Sequence, residues 1–275
     1  VALQRAAAAG DKRVFTREEA DKQRASVRDG LAAIGKFAPV EAIGLEWLDN
    51  DPLVEDLRTS LISHPANGRL PALVKGVRRV PSFDDIVVAL ANVQTDASQA
   101  LFAQFAAQLG GNKDSYTDFT LAERCLIEVE VPLVPQLDAN ILEIIQSRDH
   151  VVPVTDVGPR IVTLGSRPPA GESPRQWAGV STGRWEGETL VVDTRNFTDR
   201  MPSFSGTGTS RGKVVTERFT RTAKDRIEYA ATVVDSRTFE DRIELSFPLT
   251  QVDEGIYEVA CHEGNRSMRH SLAAA

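Results

Sequence analysis

Along the C-terminal half of the chain, apolar residues recur at every second position. Ile227, Tyr229, Ala231 and Val233 fall on one face of a predicted strand, and Ile243, Leu245, Phe247 and Leu249 repeat the pattern. The opposite faces carry Glu228, Thr232, Arg242, Glu244 and Ser246, so each strand has one buried and one wet side. The run Lys213–Arg221 is less regular. There Val215 and Phe219 share a face with Glu217 and Arg221, which makes those charges either a solvent rim or a pocket lining. Further strands are predicted at Ile141–Gln146, Val151–Thr155, Arg160–Leu164 and Ile256–Cys261. Between them, Gly183–Thr194 reads as a hairpin: a strand ending in Trp185, a tight turn carrying Gly187, and a β-branched strand from Thr189. Regular spacing with polar turns predicts an antiparallel meander that closes or nearly closes into a barrel.

The N-terminal half has a different period. Thr16 caps a predicted helix, with Glu19 reaching back from the third position and Phe15 stapling onto the first turns. That helix runs to about Arg28 and resumes through Leu31 to Phe37. Asp51-Pro52 opens a short helix. Ile86, Leu90, Val93, Ala97, Leu101, Phe105 and Leu109 form a single apolar stripe of a long helix beginning at Ser82 and ended by Gly110-Gly111. Arg58–Ile62 is short and extended and leads into a turn at Pro65–Gly68. The expected fold is α+β. A mainly helical N-terminal part, residues 1–125, packs on an antiparallel, barrel-like (lipocalin-like) β-meander, residues 126–275, as one compact unit.

Composition narrows the partners. The 275 residues carry a formal net charge of -7 and an isoelectric point near 5.3. No nucleic acid and no anionic membrane surface is an expected partner, since both need a basic footprint. No apolar run reaches the roughly 20 residues of a membrane span. The residues after Val1 lack a basic n-region and an apolar h-region, so the start reads as that of a processed or trimmed chain. The two cysteines, Cys125 and Cys261, lie far apart without metal-like spacing. They are either two buried free thiols or a disulfide joining the helical half to the last strand.

Candidate chemistry is sparse. Four histidines without ligand spacing argue against a metal site, and no cofactor signature is present. Gly179-Val180-Ser181-Thr182-Gly183 matches the G-x-S-x-G pattern of a nucleophile elbow, but a hairpin follows instead of a helix, so the match is read as chance. Cys261-His262-Glu263-Gly264-Asn265 is more suggestive, because His titrates near neutrality and a neighbouring carboxylate can orient it. The opposing reading is a strand end whose His and Asn bind backbone groups. Arg160, Arg175, Trp177 and Trp185 form a second group, either an aromatic wall with polar handles or core tryptophans with stacked arginines.

Several segments together resemble a family of exported bacterial proteins of unassigned function. They are Arg58–Ile62 through Asn67–Pro71, Ala122–Cys125, Arg175–Trp177, Gly183–Phe197, Thr216–Arg221 and Ala260–Asn265. The family pattern is similar to R-W-E-G-D-T-L-V-V-D-T-x-N-F-T, followed by E-R-F-T-R and A-C-H-E-G-N. The resemblance implies export, to the periplasm or outside the cell, and a Cys125–Cys261 pair, because both cysteines sit inside matched motifs. It implies no activity. This chain departs from the pattern just before Arg160, where the family carries a Glu and a His. Here Val154–Pro159 has neither, and Asp156 is the nearest acid.

The functional expectation is a small-molecule-binding barrel performing cofactor-independent acid/base chemistry (lyase, isomerase or hydrolase) on an apolar or aromatic substrate. His262 is the expected acid/base, Glu263 its orienting partner, Arg160 the anion stabiliser and Asp156 a second acid. Trp177, Trp185, Arg175 and Tyr229 are the expected substrate-binding residues. The alternative is a non-catalytic periplasmic ligand-binding protein.

Overall fold

The computed structural model describes residues 3–5, 9–22, 25, 57–77, 114–119, 124–126, 131–135, 140–165, 175–199, 210–258, 260–264 and 266–274. Among these residues ten strands make one sheet: β1 (Ile62–His64), β2 (Glu143–Gln146), β3 (His150–Thr155), β4 (Gly158–Pro159), β5 (Val162–Leu164), β6 (Val180–Glu186), β7 (Thr189–Arg195), β8 (Val214–Ala223), β9 (Arg226–Val234) and β10 (Ile243–Thr250). The spatial order is β1-β10-β9-β8-β7-β6-β5-β3-β2, with β4 paired to β3. All pairings are antiparallel except β5 with β6.

This architecture corrects the expected one. Among the described residues the protein is mostly a curled sheet, a half-barrel, with about 12% helix, and not a mainly helical N-terminal part packed on a meander. Apart from a helical stretch at 17–22, what the described N-terminal residues contribute is largely extended chain. Val14 bridges to Arg58, and β1 forms an outer strand of the sheet against β10. The turn expected at Pro65–Gly68 is present. Gly68 takes a φ of +65° and its N–H donates to the Pro65 carbonyl, closing a turn. The capping box at Thr16 and Glu19 does form: Thr16 N–H donates to Glu19 Oε2 and Glu19 N–H to Thr16 Oγ1. The stretches expected to be helical at 31–37, from Asp51-Pro52 and at 82–109 lie outside the described residues.

The alternating residues set the inner face. Register stacks Trp185, Leu190, Phe219, Tyr229 and Phe247 in one cross-strand row. The next row is Gly183, Val192, Glu217, Ala231, Leu245 and Ile62, and the third is Ser181, Thr194, Val215, Val233 and Ile243. Nearly all of these are buried. Leu3, Leu61, Val131 and Val134 pack onto them, so the inner face is covered by the chain's own segments. Gly183 is required by this packing, since a Cβ there would stand 2.8 Å from Val162 Cγ1.

One expected strand is not formed. Residues 256–258 are not in a strand, Tyr257 is 85% exposed, and Cys261–Gly264 is a short helix entered through Ala260 at a φ of +44°. The side of β10 that such a strand would use is occupied by β1.

Candidate functional site

The strand alternation carries one carboxylate into the core. Glu217 lies between Val215 and Phe219 on the inner face of β8 and is fully buried. Burial of a lone carboxylate costs several kcal/mol, so a partner is required. Arg160, just before β5 and 4% exposed, supplies it. Its Nη1 donates to Glu217 Oε2 at 2.7 Å and its Nη2 to Oε1 at 3.2 Å, a two-pronged ion pair. Tyr229 on β9 adds a third donor, its hydroxyl lying 2.8 Å from Glu217 Oε1.

The Tyr229 hydroxyl also accepts a hydrogen bond of 2.9 Å from the Leu133 N–H. The polar group therefore reaches through to the segment lying over the inner face. Lys213 reinforces the same segment. Its buried ammonium donates to the Val131 carbonyl at 2.6 Å and stands 5.2 Å from the Phe197 ring centre. Below these groups, Tyr229 packs between Phe219 and Phe247 at ring distances of 5.0 and 4.8 Å. Desolvation, with the Glu217 charge beside it, pushes the Tyr229 phenol well above its ordinary value. It is a neutral donor across the physiological range. One donor of the cluster is left over. The Arg160 Nε–H is buried and has no hydrogen-bond partner among the described residues.

The outer face of the same strands carries charges in water. Arg184 pairs with Asp193 and Glu186, and Arg218 with Glu186. Thr216 Oγ1 donates to Asp193 Oδ1 at 2.7 Å. These side chains are 29–53% exposed. Arg218 beside it, with Arg184, holds the Glu186 carboxyl below its usual range.

Of the residues predicted as a site, Arg160 and Tyr229 come together in the buried cluster, joined through Glu217. Asp156 lies half-buried in the turn between β3 and β4. His262 and Glu263 are exposed on the Cys261–Gly264 helix, where neither side chain has a hydrogen bond or ion pair among the described residues. Arg175 donates through Nη1 to the carbonyls of Phe197 and Arg211, both at 3.1 Å, tying its segment to the end of β7. Trp177 beside it is half-buried, and Trp185 is 48% exposed at the end of its row.

Cys125 and Cys261 form a disulfide with a Cα–Cα distance of 5.6 Å. Ser181 is a buried strand residue hydrogen-bonded to Thr194 at 2.9 Å, so the G-x-S-x-G match is structural. Its first glycine, Gly179, takes a φ of +71° with the Arg195 carbonyl 2.7 Å from where a Cβ would be. Sequence reasoning missed Glu217 and Lys213 as members of the buried group. The available signal was a charge in register with Val215 and Phe219.

Among the described residues no cluster of His, Cys, Asp and Glu is arranged to hold a metal ion. No helix there is long and apolar enough to cross a membrane. The chain matches no protein-family model, no curated protein and no solved structure.

Proposed function

We propose that the half-barrel binds a small apolar or aromatic molecule bearing a hydrogen-bond acceptor, in an exported protein. One observation carries the proposal: a buried Arg160 Nε–H, without a hydrogen-bond partner among the described residues, on the apolar inner side of the curled sheet. Buried donors are nearly always satisfied, and an acceptor on a ligand would satisfy this one. The buried row Phe219–Tyr229–Phe247 makes the surroundings of that donor apolar, so a ligand would reach it by displacing part of the chain that covers the inner face. Export is supported by the disulfide, which persists in oxidising compartments, and by the resemblance to exported proteins. Binding stands ahead of acid/base catalysis because no partner orients the exposed His262 among the described residues.

The test is a thermal-shift screen of aromatic and aliphatic carboxylates and ketones, followed by calorimetry on hits. A ligand should raise the melting temperature of the wild type in a concentration-dependent way. The neutral pair Arg160→Met with Glu217→Leu should abolish that shift while keeping the fold. A full screen without a shift, or equal binding by the double variant, refutes the proposal. Turnover lost on His262→Ala with binding intact would restore the catalytic reading.

A further inference from the structure

The sheet has two ends, and they are finished differently. At one end β1 is tied down: Leu3 accepts from the Ile62 N–H, and His64 pairs with Asp241. At the other end β2 is exposed at all four residues, with Ile144 37% and Ile145 49% exposed. Among the described residues no strand pairs beyond β2. An open edge with apolar side chains is a template for another strand.

Register shows which groups this edge offers. The Arg160 N–H donates to the Pro153 carbonyl, so the Pro153 main chain faces β4. Val152 and Val154 therefore face β2, where they stand opposite Ile145 and Glu143. The main-chain groups of Ile144 and Gln146 point away from the sheet. On the outer face, Ile145, Val152 and Ile161 form one cross-strand row, from the registers of β2 with β3 and of β3 with β5. Ile161 is 63% exposed. The apolar row thus runs out to the open edge.

We propose that β2 joins two copies of this chain through an antiparallel, two-fold β2–β2 pair centred on Ile145. The charges choose the centre. A dyad at Glu143 sets two carboxylates face to face, and one at Gln146 sets Glu143 against the partner's Asp149. A dyad at Ile144 places Ile145 against the partner's Glu143. A dyad at Ile145 places Ile145 against its own copy, Glu143 against the partner's Ser147, and Leu142 against the partner's Arg148. Ile144 and Gln146 then exchange roughly four main-chain hydrogen bonds with the partner's Gln146 and Ile144. The rows fuse into Ile161–Val152–Ile145 and its two-fold copy, one apolar band across a continuous sheet. The patch is small, so the dimer is a weak, concentration-dependent one.

Sedimentation velocity over a concentration series tests this on the intact, disulfide-bonded chain. Wild type should shift from monomer to dimer as concentration rises. Ile144→Pro removes an outward N–H without touching the β2–β3 ladder, and Ile145→Glu sets carboxylates across the dyad. Each should weaken dimerisation at least tenfold with an unchanged melting temperature. The chain has no free cysteine, so an added thiol is the only one available. Oxidised Ile145→Cys should run as a covalent dimer. Ile161→Cys should not, since its two copies would stand about 24 Å apart, five strand spacings of about 4.8 Å. A wild type that stays monomeric at every concentration overturns the proposal. So does a dimer insensitive to both edge variants, or one that Ile145→Cys fails to trap.

Discussion

Glu217 and Arg218 are adjacent in β8 and face opposite media. Glu217 points into the half-barrel, has no solvent exposure, and is held by Arg160 and Tyr229. Arg218 points out, is about half exposed, and shares Glu186 with Arg184. The ion-pair chemistry is the same, but the consequences differ because the dielectric does. In water the attraction is screened and the side chains lose entropy on pairing, so the outer ladder adds little. Inside, each charge was desolvated on folding and depends on its partner, so the pair is costly to break and cheap to replace whole. The inner group is a fixed polar point in an apolar interior. The outer group is a solubilising surface.

Variants that separate the two faces should follow that ranking. Glu217→Leu leaves Arg160 buried and unpaired and should lower unfolding free energy by about 3–5 kcal/mol in urea denaturation. Adding Arg160→Met to it should recover most of that loss; an additive double variant would show that the two charges are not coupled. Replacing both Cys125 and Cys261 by Ser releases a loop of 136 residues and should cost about 2–5 kcal/mol. Tyr229→Phe removes a donor to Glu217 and the acceptor for the Leu133 N–H, for about 1–3 kcal/mol.

Tyr229 also makes stability depend on alkaline pH. Its folded pKa is raised, so the contribution is whole below the unfolded value of about 10 and is lost as pH rises toward the folded value. Denaturation midpoints should fall above pH 10 in wild type, and the part due to Tyr229 should vanish in Tyr229→Phe. The smallest effect belongs to the outer face. Arg184→Ala should leave the urea midpoint within error of wild type. Glu186, whose pKa is lowered, contributes only above its unfolded value and loses that contribution as pH falls through the folded one. High salt should erase this acid dependence. A large loss on Arg184→Ala would break the contrast between the faces.

Most of the sheet was legible because half-buried strands print their pleat on the sequence. Ile227–Val233 and Ile243–Leu249 alternate, and their cross-strand partners follow from the hairpins. The hairpin turn at Gly187 was legible for a related reason: the first loop position takes a φ of +60°, which glycine accommodates. The segment 256–261 was misread because a short apolar run cannot show whether a strand edge is free to receive it. Here β1 already holds that edge, and Cys261 is drawn to Cys125 instead. The buried cluster was half legible. Alternation placed Glu217 with Val215 and Phe219, yet nothing local links it to Arg160, 57 residues away. Such pairs are set by the three-dimensional register of distant strands.

The pairing of β1 with β10 has a consequence for how the chain is made. Arg58, leading into β1, binds the Ser246 carbonyl 188 residues later. A ribosome therefore releases β1 long before its neighbour exists. The hairpins β6–β7 and β8–β9–β10 close locally and can form as soon as they emerge. The β1 pairing can close only once β10 has been synthesised. Docking of β1 onto β10 is therefore a long-range step that follows closure of the local hairpins.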